Sequence, residues 1–247
     1  MKRSVEEHAA RFSERAATYD DDKSPEYEAC ASLVVDHADP GPGDVVLDLG
    51  TGTGAIALAL ADRAGRVVGR DVSEGMLAEA RRKAADAGVS NVEFDYGEFR
   101  APALDGPVDV VVSNYALHHL SDAEKREAIR TVAELGARRF VLGDIMFFGE
   151  PDPDAAFYDP EVDDPATVGT LADALTDAGF VLTAVERVDD QVGVLVAERA
   201  GDAVPSRDAT DEGETAREGD DANESDGASE GEAAVGADAD APGTETE

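Results

Sequence analysis

The chain has 247 residues, of which 56 are acidic and 21 basic, so its formal net charge at pH 7 is −35. Such an acidic chain offers no basic patch to neutralise phosphates, which argues against nucleic acid as a partner. Its single cysteine, Cys30, rules out a disulfide framework and a thiolate metal site. No apolar run approaches transmembrane length and the charged start lacks an apolar signal core, so we expect a soluble, cytoplasmic protein that binds no membrane.

Residues 201–247 differ in composition from the rest of the chain. They hold 16 acidic residues against two arginines and no aromatic residue, so they cannot bury enough apolar surface to become ordered. Residues 1–200 still carry 40 acids against 19 bases, and the whole chain has four lysines against 17 arginines. This bias is typical of organisms with a salt-filled cytoplasm, so we predict a halophilic protein. It should have an N-terminal helical cap (1–40), an α/β domain (41–200) and a disordered acidic tail (201–247).

The N-terminal cap is predicted to contain two helices, over residues 4–17 and 25–38. Pro40 and Pro42 stop the second helix before the first strand begins. The segment between the two helices carries an aromatic residue followed by an acid, Tyr19-Asp20.

A strand, a glycine loop and a helix then follow in direct succession. Residues 45–49 form an apolar run broken only by Asp48, which indicates a buried parallel strand. Three glycines at alternate positions follow and let the backbone turn tightly and approach a ligand closely. The alanine- and leucine-rich residues 55–61 favour a helix whose N-terminus faces this loop. This unit predicts a site for a cofactor that carries a nucleoside.

The rest of the chain alternates between strands and helices. Strands are predicted over 66–72, 91–96, 108–113, 139–146, 180–188 and 191–198, and helices over 73–88, 121–135 and 165–178. Such alternation predicts right-handed crossovers and a parallel sheet, whereas the last two strands form a hairpin. The expected fold is therefore α/β: a Rossmann-like, doubly wound, mostly parallel seven-stranded sheet with a C-terminal antiparallel hairpin and helices on both faces.

Together these motifs resemble the class I S-adenosylmethionine-dependent methyltransferase family. The resemblance is carried by Asp-Leu-Gly-Thr-Gly-Thr-Gly at 48–54, by Asp71 at the end of the second strand, by Tyr-Ala-Leu-His-His-Leu at 115–120 and by the terminal hairpin. It covers roughly residues 10–199 and is nearest to the YrrT-like small-molecule branch. It implies S-adenosyl-L-methionine as the cofactor and methyl transfer to a small-molecule acceptor. Neither the acceptor nor the oligomeric state follows from it.

Two alternative functions remain open at this point. Gly50, Gly52 and Ala55 also satisfy the looser dinucleotide pattern G-x-G-x-x-G/A, and Asp71 lies where a ribose-binding acid is expected. The chain is therefore also compatible with an NAD(P)-dependent oxidoreductase, although few residues remain for the separate substrate domain of such an enzyme. A protein that binds S-adenosylmethionine without transferring its methyl group is the other alternative.

The resemblance implies a cofactor site at the carboxyl ends of the strands, made of Tyr19, Asp48, Gly50, Thr51, Gly52, Gly54, Asp71, Val72, Glu98 and Ser113. Asp71 is expected to accept both ribose hydroxyls, and Glu98 to accept the adenine amine, with Asp95 as its competitor. Asp48 either binds the ammonium group through water or braces the loop amides. Tyr19 either covers the cofactor or packs its helix on the core.

No catalytic residue is identified with comparable support; the candidates are His118, His119 and Tyr115. Either histidine could act as a general base, but the resemblance favours a role in shaping the pocket wall. A metal site is not expected, because adjacent histidines on an α-helix point about 100° apart and no third ligand can be identified. The absence of prolines after Ser113-Asn114 argues further against a nucleobase substrate.

Overall fold

An eight-stranded sheet forms the centre of the protein, as seen in a computed structural model that describes residues 4–21, 23–104, 106–150 and 158–201. The chain divides into two units, Met1–Pro205 and Ser206–Glu247, and the described residues all belong to the first. Apart from residue 201, the predicted disordered tail lies outside the described residues. Within the described residues, no helix is long and apolar enough to cross a membrane.

The two N-terminal helices form close to the predicted positions. Helix α1 spans Val5–Arg15 and begins with a capping box, in which Ser4 and Glu7 satisfy each other's backbone amides. A short 3-10 turn, Ala16–Thr18, follows it. Helix α2 spans Pro25–Ala38, with the Ser24 side chain as its N-cap and proline at its first position.

The remaining elements alternate as expected. In chain order they are β1 (Val45–Leu49), α3 (Ala55–Leu60), β2 (Arg66–Asp71), α4 (Glu74–Ala87), β3 (Val92–Tyr96), β4 (Val110–Asn114), α5 (Asp122–Glu134), β5 (Arg139–Phe147), β6 (Ala166–Thr167), α6 (Val168–Asp177), β7 (Phe180–Arg187) and β8 (Val192–Arg199). The strand order is β3-β2-β1-β4-β5-β8-β7. The first five strands in this order, from β3 through β5, are parallel to one another, whereas β8 pairs antiparallel with both β5 and β7. The predicted fold class is confirmed.

One strand is additional to the seven predicted. Ala166–Thr167 pairs in parallel with Met146 and Phe147 at the end of β5. These two residues were predicted to lie inside the last helix, which instead begins at Val168 with the Thr167 side chain as its N-cap. The sheet therefore has eight strands, with β6 lying off the main path.

The central strands β1, β4 and β5 are buried on both faces, as expected for a parallel sheet covered by helices. One core contains alternate strand residues such as Leu47 and Val111 and is covered by α5 and α6. The other contains Val46 and Val110 and is covered by α2, α3 and α4. The strand order reverses between β1 and β4. Strands β2 and β3 lie on one side of β1, whereas β4 and β5 lie on its other side. Ligands bind at the carboxyl ends of strands beside such a reversal.

Candidate functional site

A cavity of about 350 Å³ opens at the carboxyl ends of β1, β2 and β4. That volume is within the range of small-molecule sites. Eight of the ten predicted cofactor-binding residues line it, together with two of the three catalytic candidates: Tyr19, Asp48, Gly50, Thr51, Gly52, Asp71, Val72, Glu98, Tyr115 and His119. Residues from α1, including His8 and Phe12, complete the wall.

The glycine loop fits its neighbours only because side chains are absent. Gly50 has a φ of 71°, and a Cβ there would collide with the Cβ of Ala116. Gly54 has a φ of 84°, and a Cβ there would lie 3.0 Å from the Phe94 ring and 3.1 Å from Ala80. Gly54 is not part of the cavity lining. Its role in the structure is therefore close packing of the loop on α4 and β3, whereas the prediction placed it in the cofactor site.

Asp48 is buried at the end of β1, with 1% of its surface exposed. The Thr51 hydroxyl donates to its Oδ2 across 2.7 Å, and the backbone amide of Ala57 in α3 also donates to it. Burial raises the pKa of this carboxyl to about 7, against the opposing effect of those two hydrogen bonds. Asp48 thus braces the loop through the Thr51 hydroxyl and contacts the first turn of α3, whereas the prediction named the loop amides. Its place in the cavity wall leaves the predicted ammonium-binding role open.

Asp71 connects the loop to the second strand. Its Oδ2 accepts the Gly52 amide at 2.8 Å, and its Oδ1 accepts the Ser73 amide at 2.8 Å. Burial raises the pKa of Asp71 although these amide hydrogen bonds lower it. Because a carboxylate has about four acceptor positions, each oxygen can still accept a further donor from a ligand.

The segment between α1 and α2 is attached to the glycine loop. The Thr53 hydroxyl donates to Asp20 Oδ1 across 2.9 Å, and the other oxygen of Asp20 pairs with Lys83 of α4. The Tyr19 ring lines the cavity and also packs edge-on against Phe12, with ring centroids 6.2 Å apart. Tyr19 therefore fits both of its predicted roles. The contribution of Thr53 was not predicted, because nothing local in the sequence signals a contact with a residue 33 positions away.

The structure separates the two candidates for the adenine-binding acid. Glu98 lines the cavity, and the Tyr96 hydroxyl donates to its Oε1 across 2.8 Å. Asp95 is exposed, lies outside the cavity lining and accepts the backbone amide of Tyr96. Of these two acids, Glu98 is therefore the one that a ligand in this cavity would meet.

The end of β4 differs from the prediction by one residue. Ser113 is fully buried and lies outside the cavity lining, because β4 continues to Asn114. Asn114 and Tyr115 line the cavity instead. The Tyr115 ring lies 5.0 Å from that of Tyr27, which is also a wall residue. Asn114 is thus the wall residue at this strand end, whereas the predicted cofactor site named Ser113.

The prediction that His118 and His119 lie on an α-helix is wrong, since they end a 3-10 turn, Leu117–His119. Their ring centroids are only 4.1 Å apart. His118 Nδ1 lies 2.5 Å from Asp144 Oδ1, and His119 Nδ1 lies 2.9 Å from Asp163 Oδ1. Asp163 is therefore the third residue that could not be identified from the sequence, and the geometric argument against a metal site fails.

The two imidazoles differ in their electrostatic surroundings. Burial and, to a smaller extent, the neighbouring His118 lower the pKa of His119 to about 4, although Asp163 acts in the opposite direction. Burial also disfavours the charged form of His118, but the Asp144 carboxylate more than offsets this and raises its pKa. His119 faces the cavity, whereas His118 is not part of its lining.

Comparison with known proteins relates this site to a family. Residues 46–137 match the family model of a methyltransferase domain. The matched segment contains the glycine loop, Asp71, Glu98, His118 and His119, and most of the residues that line the cavity lie within it.

Individual relatives agree with that match. Over 147 residues the chain is 35% identical to an uncharacterised methyltransferase of a Geobacillus species, covering 58% of this chain and 66% of the relative. It is similar in structure to the YcgJ protein of Bacillus subtilis, at 25% identity and a TM-score of 0.55 over 63% of this chain and 70% of that one. The DhpI–SAH complex shares the fold at 22% identity and a TM-score of 0.62, over 79% and 96%. The chain spans 47% to 66% of the length of the first four curated relatives it matches.

Proposed function

We propose that this protein is an S-adenosylmethionine-dependent methyltransferase that methylates a small-molecule acceptor. The observation that carries the proposal is the position of Asp71, whose carboxylate lies in the cavity wall and accepts the amide of Gly52 in the glycine loop. A ribose held by that carboxylate would lie against the loop. The match of residues 46–137 to a methyltransferase domain, and the fold shared with DhpI in its complex with SAH, support this choice of cofactor.

The residues present fit such a cofactor. Close approach of a ligand to the loop backbone is possible at Gly52, where the space that a side chain would fill is open to the cavity. Asp71 has acceptor capacity for ribose hydroxyls, and Glu98 for an amine. Asp48 lies in the wall next to the loop, where an ammonium group would favour its ionised form.

When bound, the cofactor supplies an activated methyl group, and the protein has to align the acceptor with it and exclude water. The cavity wall suits that task because aromatic side chains from four segments line it: Phe12, Tyr19, Tyr27 and Tyr115. A dedicated base is optional, since the methyl group is already activated. His119 is neutral at neutral pH, but its pKa of about 4 makes it a weak base, so the structure gives no reason to assign it a general-base role.

The test is calorimetric titration of the full-length protein with S-adenosylmethionine, S-adenosylhomocysteine and NADH. We expect the first two ligands to bind and NADH not to bind. A screen of small-molecule acceptors, with S-adenosylhomocysteine as the measured product, then tests turnover. Tight binding of NADH alone would favour the oxidoreductase. Binding of S-adenosylmethionine without product from any acceptor would favour a protein that only binds the cofactor.

A further inference from the structure

Three potential metal ligands lie together beside the cavity, and one of them, His119, belongs to its wall. The candidate ligand atoms of His118, His119 and Asp163 all lie within 4.8 Å of one another. Asp163 Oδ1 is 2.9 Å from His119 Nδ1 and 3.8 Å from His118 Nε2. Metal–nitrogen bonds of about 2.0–2.1 Å place neighbouring ligand atoms roughly 3–3.4 Å apart. Small side-chain shifts would therefore be enough to place one ion between the three groups.

The ligands are oriented by a second layer of hydrogen bonds. Asp144 Oδ1 lies 2.5 Å from His118 Nδ1, and its Oδ2 accepts the His118 backbone amide at 2.9 Å. Nε2 of His118 is consequently the nitrogen presented to Asp163. Asp163 is fixed from its own loop, because its Oδ2 accepts the Asp159 amide at 2.9 Å. A carboxylate behind a metal-binding histidine is the usual means of fixing the tautomer and the ring orientation.

The charge of the cluster favours a cation. The side chains of Asp144 and Asp163 are 3% and 11% exposed, so two carboxylates share a region from which water is largely excluded. The neighbouring Lys125 is already engaged by the Asp122 side chain and by the backbone carbonyl of Asp164. Imidazoles that bind a metal ion are neutral, so the two carboxylates give the cluster a net charge of −2. A divalent ion would balance it.

We propose that His118, His119 and Asp163 bind one divalent transition-metal ion, with Asp144 as the positioning residue behind His118. Two imidazoles and one carboxylate suit ions such as Zn²⁺, Fe²⁺ or Mn²⁺, whereas Mg²⁺ and Ca²⁺ prefer ligand sets made of oxygen alone. Three protein ligands leave coordination positions open. Because His119 lines the cavity, an oxygen of the methyl acceptor could take one of these open positions. This role of the metal rests on the proposed function, whereas metal binding itself does not.

The test is titration of chelator-treated, tag-free, full-length protein with Zn²⁺, in competition with a chromogenic chelator. Molar potassium chloride and millimolar Mg²⁺ suppress weak binding to the acidic surface. We expect one tightly bound Zn²⁺ per chain. Asp163→Asn should weaken binding at least tenfold, and Asp144→Asn by roughly 10–100-fold. Asp163→Glu, which keeps the carboxylate, should retain more affinity than Asp163→Asn.

The matched control is His37→Gln, since His37 is a half-buried histidine that pairs with Glu186, away from the cluster. It should leave the affinity unchanged. Circular dichroism of the metal-free variants verifies their fold, and the visible spectrum of Co²⁺ bound to the unmodified protein reports imidazole ligation independently of any variant. Absence of a stoichiometric site, or a site unaffected by both Asp163→Asn and His118→Gln, would overturn the proposal. Neither result bears on S-adenosylmethionine binding, which is measured separately.

Discussion

The amide of Gly52 donates to Asp71 Oδ2 across 2.8 Å and so joins the glycine loop after β1 to the end of β2. The other oxygen of Asp71 accepts the amide of Ser73, the N-cap residue of α4. A single carboxylate therefore fixes the loop, the strand end and the start of a helix. In the proposed cofactor site, the Asp71 carboxylate would bind the ribose, and it also fixes the loop against which that ribose would lie.

Asp71→Asn is expected to weaken S-adenosylmethionine binding at least tenfold, which corresponds to about 1.4 kcal/mol. Asparagine keeps one carbonyl oxygen for the backbone amides but loses the charge and half of the acceptor capacity, and each charge-assisted hydrogen bond contributes about 1.5–3 kcal/mol. S-adenosylhomocysteine should lose affinity to the same extent, because the lost contact is on the ribose and not on the sulfur. Isothermal titration of both ligands measures this.

The matched control for Asp71→Asn is Asp95→Asn. Asp95 is an exposed acid at the end of the neighbouring strand and lies outside the cavity lining. It should leave both affinities unchanged. Equal behaviour of the two variants would mean that Asp71 serves only the loop and not a ligand.

Cofactor affinity is expected to fall as the pH drops below 7, because of Asp48. Burial raises the pKa of Asp48 to about 7, compared with about 3.9 in an unfolded chain. The folded state therefore binds this proton more tightly than the unfolded chain does. The free energy of unfolding that the bound proton contributes is lost as the pH rises from about 4 to about 7. Binding of an ammonium group beside Asp48 favours the opposite, ionised form. Titrations between about pH 5.5 and pH 7.5, in buffers with different ionisation enthalpies, should therefore show proton release on binding.

Asp48→Asn provides the control for this pH dependence. The variant cannot ionise at position 48, so its affinity should be lower but nearly constant over the same pH range. Proton release that is identical in both proteins would assign the titration to another group. Absence of proton release in the unmodified protein would leave Asp48 only its loop-bracing role.

The fold could be predicted from the sequence because its signals are local. Helix α2 was placed at residues 25–38, as observed, since Ser24 and Pro25 mark its start and Pro40 and Pro42 follow its end. The same is true of the buried strand before the glycine loop. Strand β6 was missed because two residues have no periodicity. Ala166–Thr167 is a strand only because Met146 and Phe147 lie beside it.

The candidate site could be predicted less completely, because side-chain direction depends on distant contacts. An extension of β4 by one residue brings Asn114 rather than Ser113 into the cavity wall. The conformation of the two histidines depends on Asp144 and Asp163, which lie 26 and 44 positions from their partners. No local pattern in the sequence reports contacts at that separation.

Thr53→Val is expected to weaken cofactor binding by about 2- to 12-fold, the equivalent of one net hydrogen bond of about 0.5–1.5 kcal/mol. The substitution keeps the shape of a residue that is 2% exposed and removes only the hydroxyl that donates to Asp20. That hydrogen bond holds the segment carrying Tyr19 over the cavity. Isothermal titration gives the affinity, and limited proteolysis between α1 and α2 should become faster.

Thr131→Val is the control for Thr53→Val, because the Thr131 hydroxyl makes an exposed hydrogen bond to the Glu127 carbonyl within its own helix, α5. It should alter neither affinity nor proteolysis. An unchanged affinity of Thr53→Val together with faster proteolysis would show that the segment is held by Thr53 but does not cover the ligand.

The melting temperature is expected to rise steadily from dilute buffer to molar potassium chloride. Residues 1–200 carry 40 acids against 19 bases, a net charge of −21, and at low ionic strength this charge repels itself in the compact state. Salt reduces the Debye length to about 3 Å at 1 M and so removes most of that repulsion between exposed groups. Thermal unfolding followed by circular dichroism measures the effect. A protein that ends at residue 201 should show most of the same salt dependence, because the larger part of the charge remains. A melting temperature that does not change with salt in either protein would contradict the halophilic prediction.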